Sequence, residues 1–130
     1  MDNTLISVET AKLANEKGFK EFNYARYCYH NNELKYWGSI TGKYDDYILA
    51  PTQSLLQCWL REMHNLHICI HPEFYTTGIN YCIQVLCYAP ELEDCENHDK
   101  CTFMHGDNGE YPTYEDALEF GLELALNLIK

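Results

Sequence analysis

The chain has 130 residues, of which 46% are apolar, so it is long enough to fold as a single domain, residues 1–130, around a hydrophobic core. Its longest apolar runs are far shorter than the roughly 20 residues that cross a bilayer, and its first residues lack a secretory signal, which predicts a cytoplasmic protein without a membrane span. The formal net charge of −11 argues against DNA or RNA as a partner, because a strongly acidic surface repels phosphate backbones.

The first predicted element is a helix over residues 8–17. Ser7 precedes it with the short polar side chain of an N-cap. Gly18 follows it as the residue that most easily adopts the left-handed conformation of a helix end, and Phe19 offers the apolar contact that accompanies such an end.

A tyrosine-rich segment, residues 22–40, comes next and predicts a β-hairpin. Aromatic residues favour strands, and Asn31 and Asn32 are residues that turns between strands prefer. A third, short strand is predicted over residues 47–49, just before Pro51.

A helix that begins after Thr52, with a strand directly behind it, forms the centre of the predicted fold. The helix has a broad apolar stripe, typical of a face that packs in a core, made of Leu55, Leu56, Trp59, Leu60 and Met63. The strand over residues 66–71 alternates its side chains between two faces, and Pro72 either ends it or places it at the edge of a sheet.

A second strand in this half, about residues 80–88, is largely apolar on both faces, which predicts a central position in the sheet. Residues 89–110 contain an acidic run and turn-forming residues. They predict a loop with one short strand near residues 102–105.

The last predicted helix covers residues 114–129, with Thr113 as its N-cap. Gly121 lacks a side chain, which predicts a close approach of this helix to a strand. Its apolar stripe comprises Tyr114, Ala117, Leu118, Gly121, Ala125, Leu128 and Ile129. The whole order, α-β-β-(β)-α-β-β-(β)-α, predicts an α+β fold in which three helices cover one face of a mostly antiparallel sheet.

Three groups of side chains are candidates for chemistry, and the first is aromatic. Tyrosine combines a flat apolar ring with a polar tip, so a cluster of such residues is typical of a small-ligand pocket, a base-stacking surface or a protein interface. The alternative is ordinary packing within a tyrosine-rich sheet. The candidate ligand-binding residues are Tyr24, Tyr27, Tyr36, Trp37 and Tyr44.

The second group is a set of thiols and imidazoles near the acidic run. Cys95, His98 and Cys101 are candidate ligands of a structural zinc ion, and Cys87 and His105 extend the set. Their spacing differs from that of paired C-x-x-C knuckles. The alternative is therefore a loop that holds no metal.

The third group, His67, Cys69 and His71, lies on one face of the strand over residues 66–71. This spacing allows a metal site or a Cys/His nucleophilic pair, but the sequence shows no third group that would orient the pair. The alternative is the polar solvent face of an edge strand. The seven cysteines, an odd number without a secretory signal, favour reduced and mostly buried thiols.

The negative charge is concentrated in the second half of the chain. Residues 66–130 carry two basic and twelve acidic side chains, whereas residues 1–65 carry seven and eight. The acidic half is either a solvated face or a docking surface for a basic host protein. The candidate partner-binding residues are Glu91, Glu93, Asp94 and Glu96.

Familiar catalytic motifs are missing from the sequence. It contains no phosphate-binding glycine loop, no zinc-protease motif and no serine-hydrolase motif. An enzyme is therefore not the leading class.

Three blocks of the sequence resemble small proteins encoded by phages and prophages of gut Bacteroidetes. They are ISVETAKLANEKGF at residues 6–19, APTQSLLQ followed by WLRE, HN and HI between residues 50 and 68, and TYEDAL at residues 113–118. The resemblance implies a phage-type genomic setting and the cytoplasm of a host bacterium. It implies no reaction and no catalytic residue.

We therefore expect a non-enzymatic accessory protein that acts by binding, either by docking on a host protein or by sequestering a small ligand such as a nucleotide. One alternative is a double-stranded-RNA-binding module, because residues 52–129 have the α-β-β-β-α order of that domain. Another is a small thiol- or zinc-dependent protein that uses Cys69, His67 or the segment around Cys95.

Overall fold

A computed structural model describes residues 4–20, 26–36, 47–87, 101–105 and 111–129. In chain order its elements are α1 Val8–Glu16, β1 Tyr27–His30, β2 Glu33–Tyr36, β3 Ile48–Leu49, α2 Gln53–His64, β4 Leu66–Tyr75, β5 Gly78–Cys87, β6 Cys101–His105 and α3 Tyr114–Asn127. This order confirms the predicted α+β fold with three helices and antiparallel strands.

The described strands form two sheets, and the chain clusters into two compact units. The first unit, Met1–Leu56, contains the sheet β2-β1-β3, and the second, Gln57–Lys130, contains the sheet β4-β5-β6. The division falls inside α2. Periodicity predicted the strands, but it carries no information on which strands pair, so the separation into two sheets was not predicted.

Helix α1 begins and ends as predicted. The Ser7 hydroxyl accepts a hydrogen bond from the Thr10 amide at 3.2 Å, which satisfies one of the free amides of the first turn. At the other end Gly18 has φ +99°, and the Phe19 amide donates to the Ala14 carbonyl at 2.9 Å. This is a Schellman motif, and the Phe19 ring is buried beneath it.

The first sheet is built on the predicted hairpin. Asn31 and Asn32 have φ values of 52° and 64°, and they join β1 to β2 as a two-residue turn of the I′ type. Strand β3 pairs antiparallel with the other edge of β1, with Cys28 opposite Leu49. The predicted third strand is thus confirmed, although Tyr47 lies just outside it.

The second sheet has β5 in its centre, as predicted from its two apolar faces. Strand β4 lies at the edge and continues through Pro72 to Tyr75, so it is longer than predicted. Tyr81, the residue opposite Pro72, exchanges both backbone hydrogen bonds with Tyr111 on the far side. Tyr81 and Pro72 are therefore a non-hydrogen-bonded pair, and the proline nitrogen faces the outer edge, where its missing N–H costs no bond within the sheet.

Helix α3 packs on one face of this sheet through Gly121. A methyl group at Gly121 would stand 2.8 Å from Cγ2 of Ile68 on β4, which confirms the predicted close approach of this glycine to a strand. The core of the unit is apolar and fully buried, with Leu66, Ile83, Val85, Leu118, Leu122 and Leu126 among its largest side chains. Thr113 caps the helix as predicted, accepting from the Asp116 amide at 3.1 Å.

Two residues that the apolar stripes placed in the core are exposed. Met63 is 64% exposed because the buried part of the α2 stripe ends one turn earlier, at Trp59 and Leu60. Tyr114 is 42% exposed because it is the first residue of α3, and its ring meets the edge of Tyr81 at a centroid distance of 6.1 Å. None of the helices in the described ranges has the length and apolarity that crossing a membrane requires.

Candidate ligand-binding cleft

Two of the predicted ligand-binding tyrosines are neighbours in the first sheet. Tyr27 on β1 and Tyr36 on β2 lie directly opposite each other, and their rings meet edge to face at a centroid distance of 5.9 Å and an angle of 72°. Both rings are exposed, Tyr27 at 38% and Tyr36 at 57%. The other three candidates, Tyr24, Trp37 and Tyr44, lie outside the described residues.

Backbone pairing in the first unit brings a second segment, residues 50–52, beside Tyr27. The Ala50 amide donates to the Tyr27 carbonyl at 2.9 Å, which extends the β1–β3 pairing by one residue. On its other side this segment pairs with the start of the chain, because Leu5 forms an antiparallel bridge with Thr52 and the Ile6 amide donates to the Pro51 carbonyl at 3.2 Å.

These segments line an open cleft of about 610 Å³ in the first unit. This volume is within the range of roughly 300–1,000 Å³ that is typical of small-molecule sites. The described residues that line the cleft are four apolar residues, one tyrosine, one threonine and one arginine, namely Leu5, Leu34, Ala50, Pro51, Tyr27, Thr52 and Arg26. Such a cleft can stack a flat ligand on an aromatic ring and pair an anionic group with a cation.

Thr52 has a second role at the wall of the cleft, since it begins α2 there. Its hydroxyl accepts from the Leu55 amide at 3.2 Å, and its carbonyl accepts from the Leu56 amide at 3.1 Å. The helix therefore starts after Thr52, as predicted. The N-terminal end of a helix carries a partial positive charge, which has the same sign as Arg26.

A smaller cleft of about 320 Å³ lies on the same sheet, next to the hairpin turn. Its wall includes Lys12 of α1 and Tyr29 of β1, together with Val8, Asn31, Asn32 and Ile48. Tyr29 and Tyr27 share one face of β1, because side chains two residues apart point to the same side. The Tyr29 hydroxyl is held in place by donating to the Ile6 carbonyl at 2.8 Å.

The polar face of β4 and β5 forms cross-strand pairs. His71 Nε2 lies 3.1 Å from Gln84 Oε1, and the Cys82 thiol donates to Glu73 Oε1 at 3.8 Å. Burial, and then the neighbouring Glu73 carboxylate, raise the pKa of the Cys82 thiol above its ordinary value. Cys82 is therefore a protonated, structural thiol, and its burial agrees with the expectation that the cysteines are mostly buried.

The two predicted metal sites differ in how far the structure describes them. His67, Cys69 and His71 all lie on β4, but no group of three His, Cys, Asp or Glu side chains in the described part of the chain is arranged to hold a metal ion. Cys95 and His98 lie outside the described residues, and so do the acidic residues Glu91, Glu93, Asp94 and Glu96. The backbone of Cys101 lies in β6, opposite Cys87.

Most of the cleft was not predicted from the sequence. Tyr27 was a candidate, whereas Arg26, Leu5 and Thr52 were not, because their approach depends on two long-range pairings: that of β1 with residues 48–50, and that of the chain start with residues 51–53. One signal was available: Arg26 is a cation directly before a tyrosine-rich strand in a chain with nine basic and twenty acidic side chains. Comparison with protein-family models, with curated proteins and with solved structures finds no match to this chain.

Proposed function

We propose that this protein is a non-enzymatic, phage-type accessory protein that sequesters a small aromatic ligand in the cleft of its first unit. The observation that carries the proposal is the cleft of about 610 Å³ beside Tyr27, one of the aromatic residues expected to contact a ligand. The resemblance to phage-encoded proteins supports an accessory role in the host cytoplasm.

The chemistry of the cleft favours binding without turnover. Tyr27 offers a ring for stacking, Leu5, Leu34 and Pro51 offer apolar contact, and Arg26 offers charge-assisted hydrogen bonds. The described residues that form its walls include no carboxylate, imidazole or thiol that could act as a general base or a nucleophile. Retention of the bound molecule is therefore the activity that we assign to it.

The proposal is tested by native mass spectrometry of gently purified protein, followed by calorimetric titration with a panel of nucleosides, nucleotides and other aromatic metabolites. We expect one class to bind, and we expect Tyr27→Ala to weaken that binding about tenfold, because stacking of a base on an aromatic ring contributes roughly 1–3 kcal/mol.

Tyr75→Ala is the matched control for this titration. Tyr75 is also an exposed tyrosine, 46% accessible against 38% for Tyr27, but it lies at the end of β4 in the second unit. The Tyr75→Ala variant should bind the ligand with the affinity of the wild-type protein. Failure of every aromatic compound to bind, or equal losses in the two variants, would contradict the proposed function.

A further inference from the structure

We infer that the ligand of this cleft is a flat aromatic molecule that bears one anionic group, such as a nucleoside monophosphate, and that Arg26 binds this group. The inference rests on the proposed function and specifies the ligand class of the same cleft.

Arg26 supplies the recognition of the anion. It is the one cationic side chain among the described residues of the cleft wall, and it directly precedes Tyr27 at the start of β1. A guanidinium presents its N–H groups as a planar fork, which matches the two oxygens of a carboxylate or phosphate. Arg26 and Tyr27 line the same cleft, so a ligand that joins a flat ring to an anion by a short linker can reach both.

The charge of the chain sets a limit on the charge of the ligand. Residues 1–56 carry six basic and seven acidic side chains, and residues 57–130 carry three and thirteen. The whole chain, at −11, therefore repels anions, and each added negative charge on a ligand increases this repulsion. A single guanidinium can offset one anionic group, whereas a triphosphate would present further charges for which the described residues of the cleft wall offer no second cation.

The volume of the cleft agrees with a ligand of this size. About 610 Å³ is in the middle of the range for sites that enclose a small organic molecule, and it exceeds what a free inorganic anion needs. The apolar wall of Leu5, Leu34 and Pro51 would remain wet around such an anion, but it is covered when a flat ring is attached to it.

The experiment is calorimetric titration of the full chain with adenosine, AMP and ATP at physiological ionic strength. AMP should bind about tenfold more tightly than adenosine, since a hydrogen bond to a charged group contributes roughly 1.4 kcal/mol or more, and ATP should bind no more tightly than AMP. Arg26→Gln should remove the preference for AMP, so that this variant binds AMP and adenosine with equal affinity.

Lys35→Gln is the matched control, because it also removes one positive charge, from the hairpin that Arg26 directly precedes. Lys35 is exposed and lies 3.4 Å from the Glu33 carboxylate, and it alternates with Leu34 so that it points to the opposite face of β2 from the cleft wall. The affinity of the Lys35→Gln variant for AMP should equal that of the wild-type protein. Circular dichroism and melting curves show whether each variant retains its fold.

Three results would overturn the inference, and they are distinguishable from failure of the proposed function. If adenosine and AMP bind with equal affinity, and Arg26→Gln changes neither affinity, the cleft binds a neutral ligand and Arg26 does not recognise an anion. Tighter binding of ATP would show a polyanion site. Absence of AMP binding, with binding of a neutral aromatic compound from the wider panel, would reject the anion but retain the cleft, whereas absence of all binding would reject both.

Discussion

Gly121 shows how one residue determines the packing of an element. It lies in the middle of α3, where glycine weakens a helix by roughly 1 kcal/mol relative to alanine. The structure explains its presence, because its Cα faces Cγ2 of Ile68 and leaves no room for a methyl group. The β-branched Ile68 side chain is stiff at χ1 and is 7% exposed, so it has little freedom to move away.

Gly121→Ala should therefore destabilise the protein despite the higher helix propensity of alanine. Overpacking costs about 1–3 kcal/mol and the propensity gain offsets about 1 kcal/mol, so the free energy of unfolding should fall by roughly 1 kcal/mol. Urea denaturation measures this change. In an Ile68→Ala background the same substitution should be neutral or stabilising, and an equal loss in both backgrounds would show that the contact is not the cause.

The sequence predicted the role of Gly121 but not its neighbour. A glycine inside an apolar helix stripe indicates a close approach, whereas the identity of Ile68 depends on how α3 lies across β4. The candidate site shows the same difference. Tyr27 and Tyr36 follow from the aromatic pattern and the Asn31-Asn32 turn, but Arg26 becomes part of a site only through long-range backbone pairing.

At the scale of elements, the outer edge of β4 is protected at two positions. In an antiparallel pair, every second residue of a strand points its backbone N–H and C=O away from the partner strand. Pro72 is such a residue in β4, and so is Ile68, four positions earlier, so the backbone groups of both point away from β5. The Ile68 carbonyl accepts from Gln57 Nε2 at 3.1 Å, and Pro72 has no N–H to offer. An unprotected edge strand would be a template for pairing with another chain.

Pro72→Ala should therefore increase self-association. The substitution restores a backbone N–H that points outward from the edge, and it adds no apolar surface. Sedimentation velocity at matched concentrations should show a higher weight-average sedimentation coefficient than for the wild-type protein. Pro112→Ala is the control, because Pro112 is also exposed but lies outside the strands of the sheet. If the two variants sediment alike, Pro72 does not protect the edge.

The boundaries of β4 and β5 were the least predictable part of the fold. Pro72 indicated either the end of a strand or an edge, and the sequence does not tell these alternatives apart, because the direction of the proline nitrogen depends on the register with β5. The extension of both strands to the turn at Thr76 and Thr77 follows from that register. The helices, by contrast, were predictable from their caps, since Ser7, Gly18 and Thr113 act locally.

At the scale of the whole molecule, element order and charge favour different functions. The order α2-β4-β5-β6-α3 is that of a double-stranded-RNA-binding domain, the alternative function that the sequence suggested. Charge argues against it, since residues 57–130 carry three basic and thirteen acidic side chains. Binding of duplex RNA depends on contacts with phosphates and releases their counterions, which requires clustered Lys and Arg.

The protein should therefore leave the mobility of duplex RNA unchanged in a gel-shift assay at low salt, where electrostatic attraction and repulsion are strongest. The duplex should exceed the roughly 16 base pairs that such a domain spans. A band shift that weakens as salt is added would contradict this expectation and favour the RNA-binding alternative. Repeating the assay with Arg26→Gln then locates the contact: a shift that persists in this variant lies outside the cleft, and a shift that disappears shows that Arg26 recognises nucleic-acid phosphates rather than a free small anion.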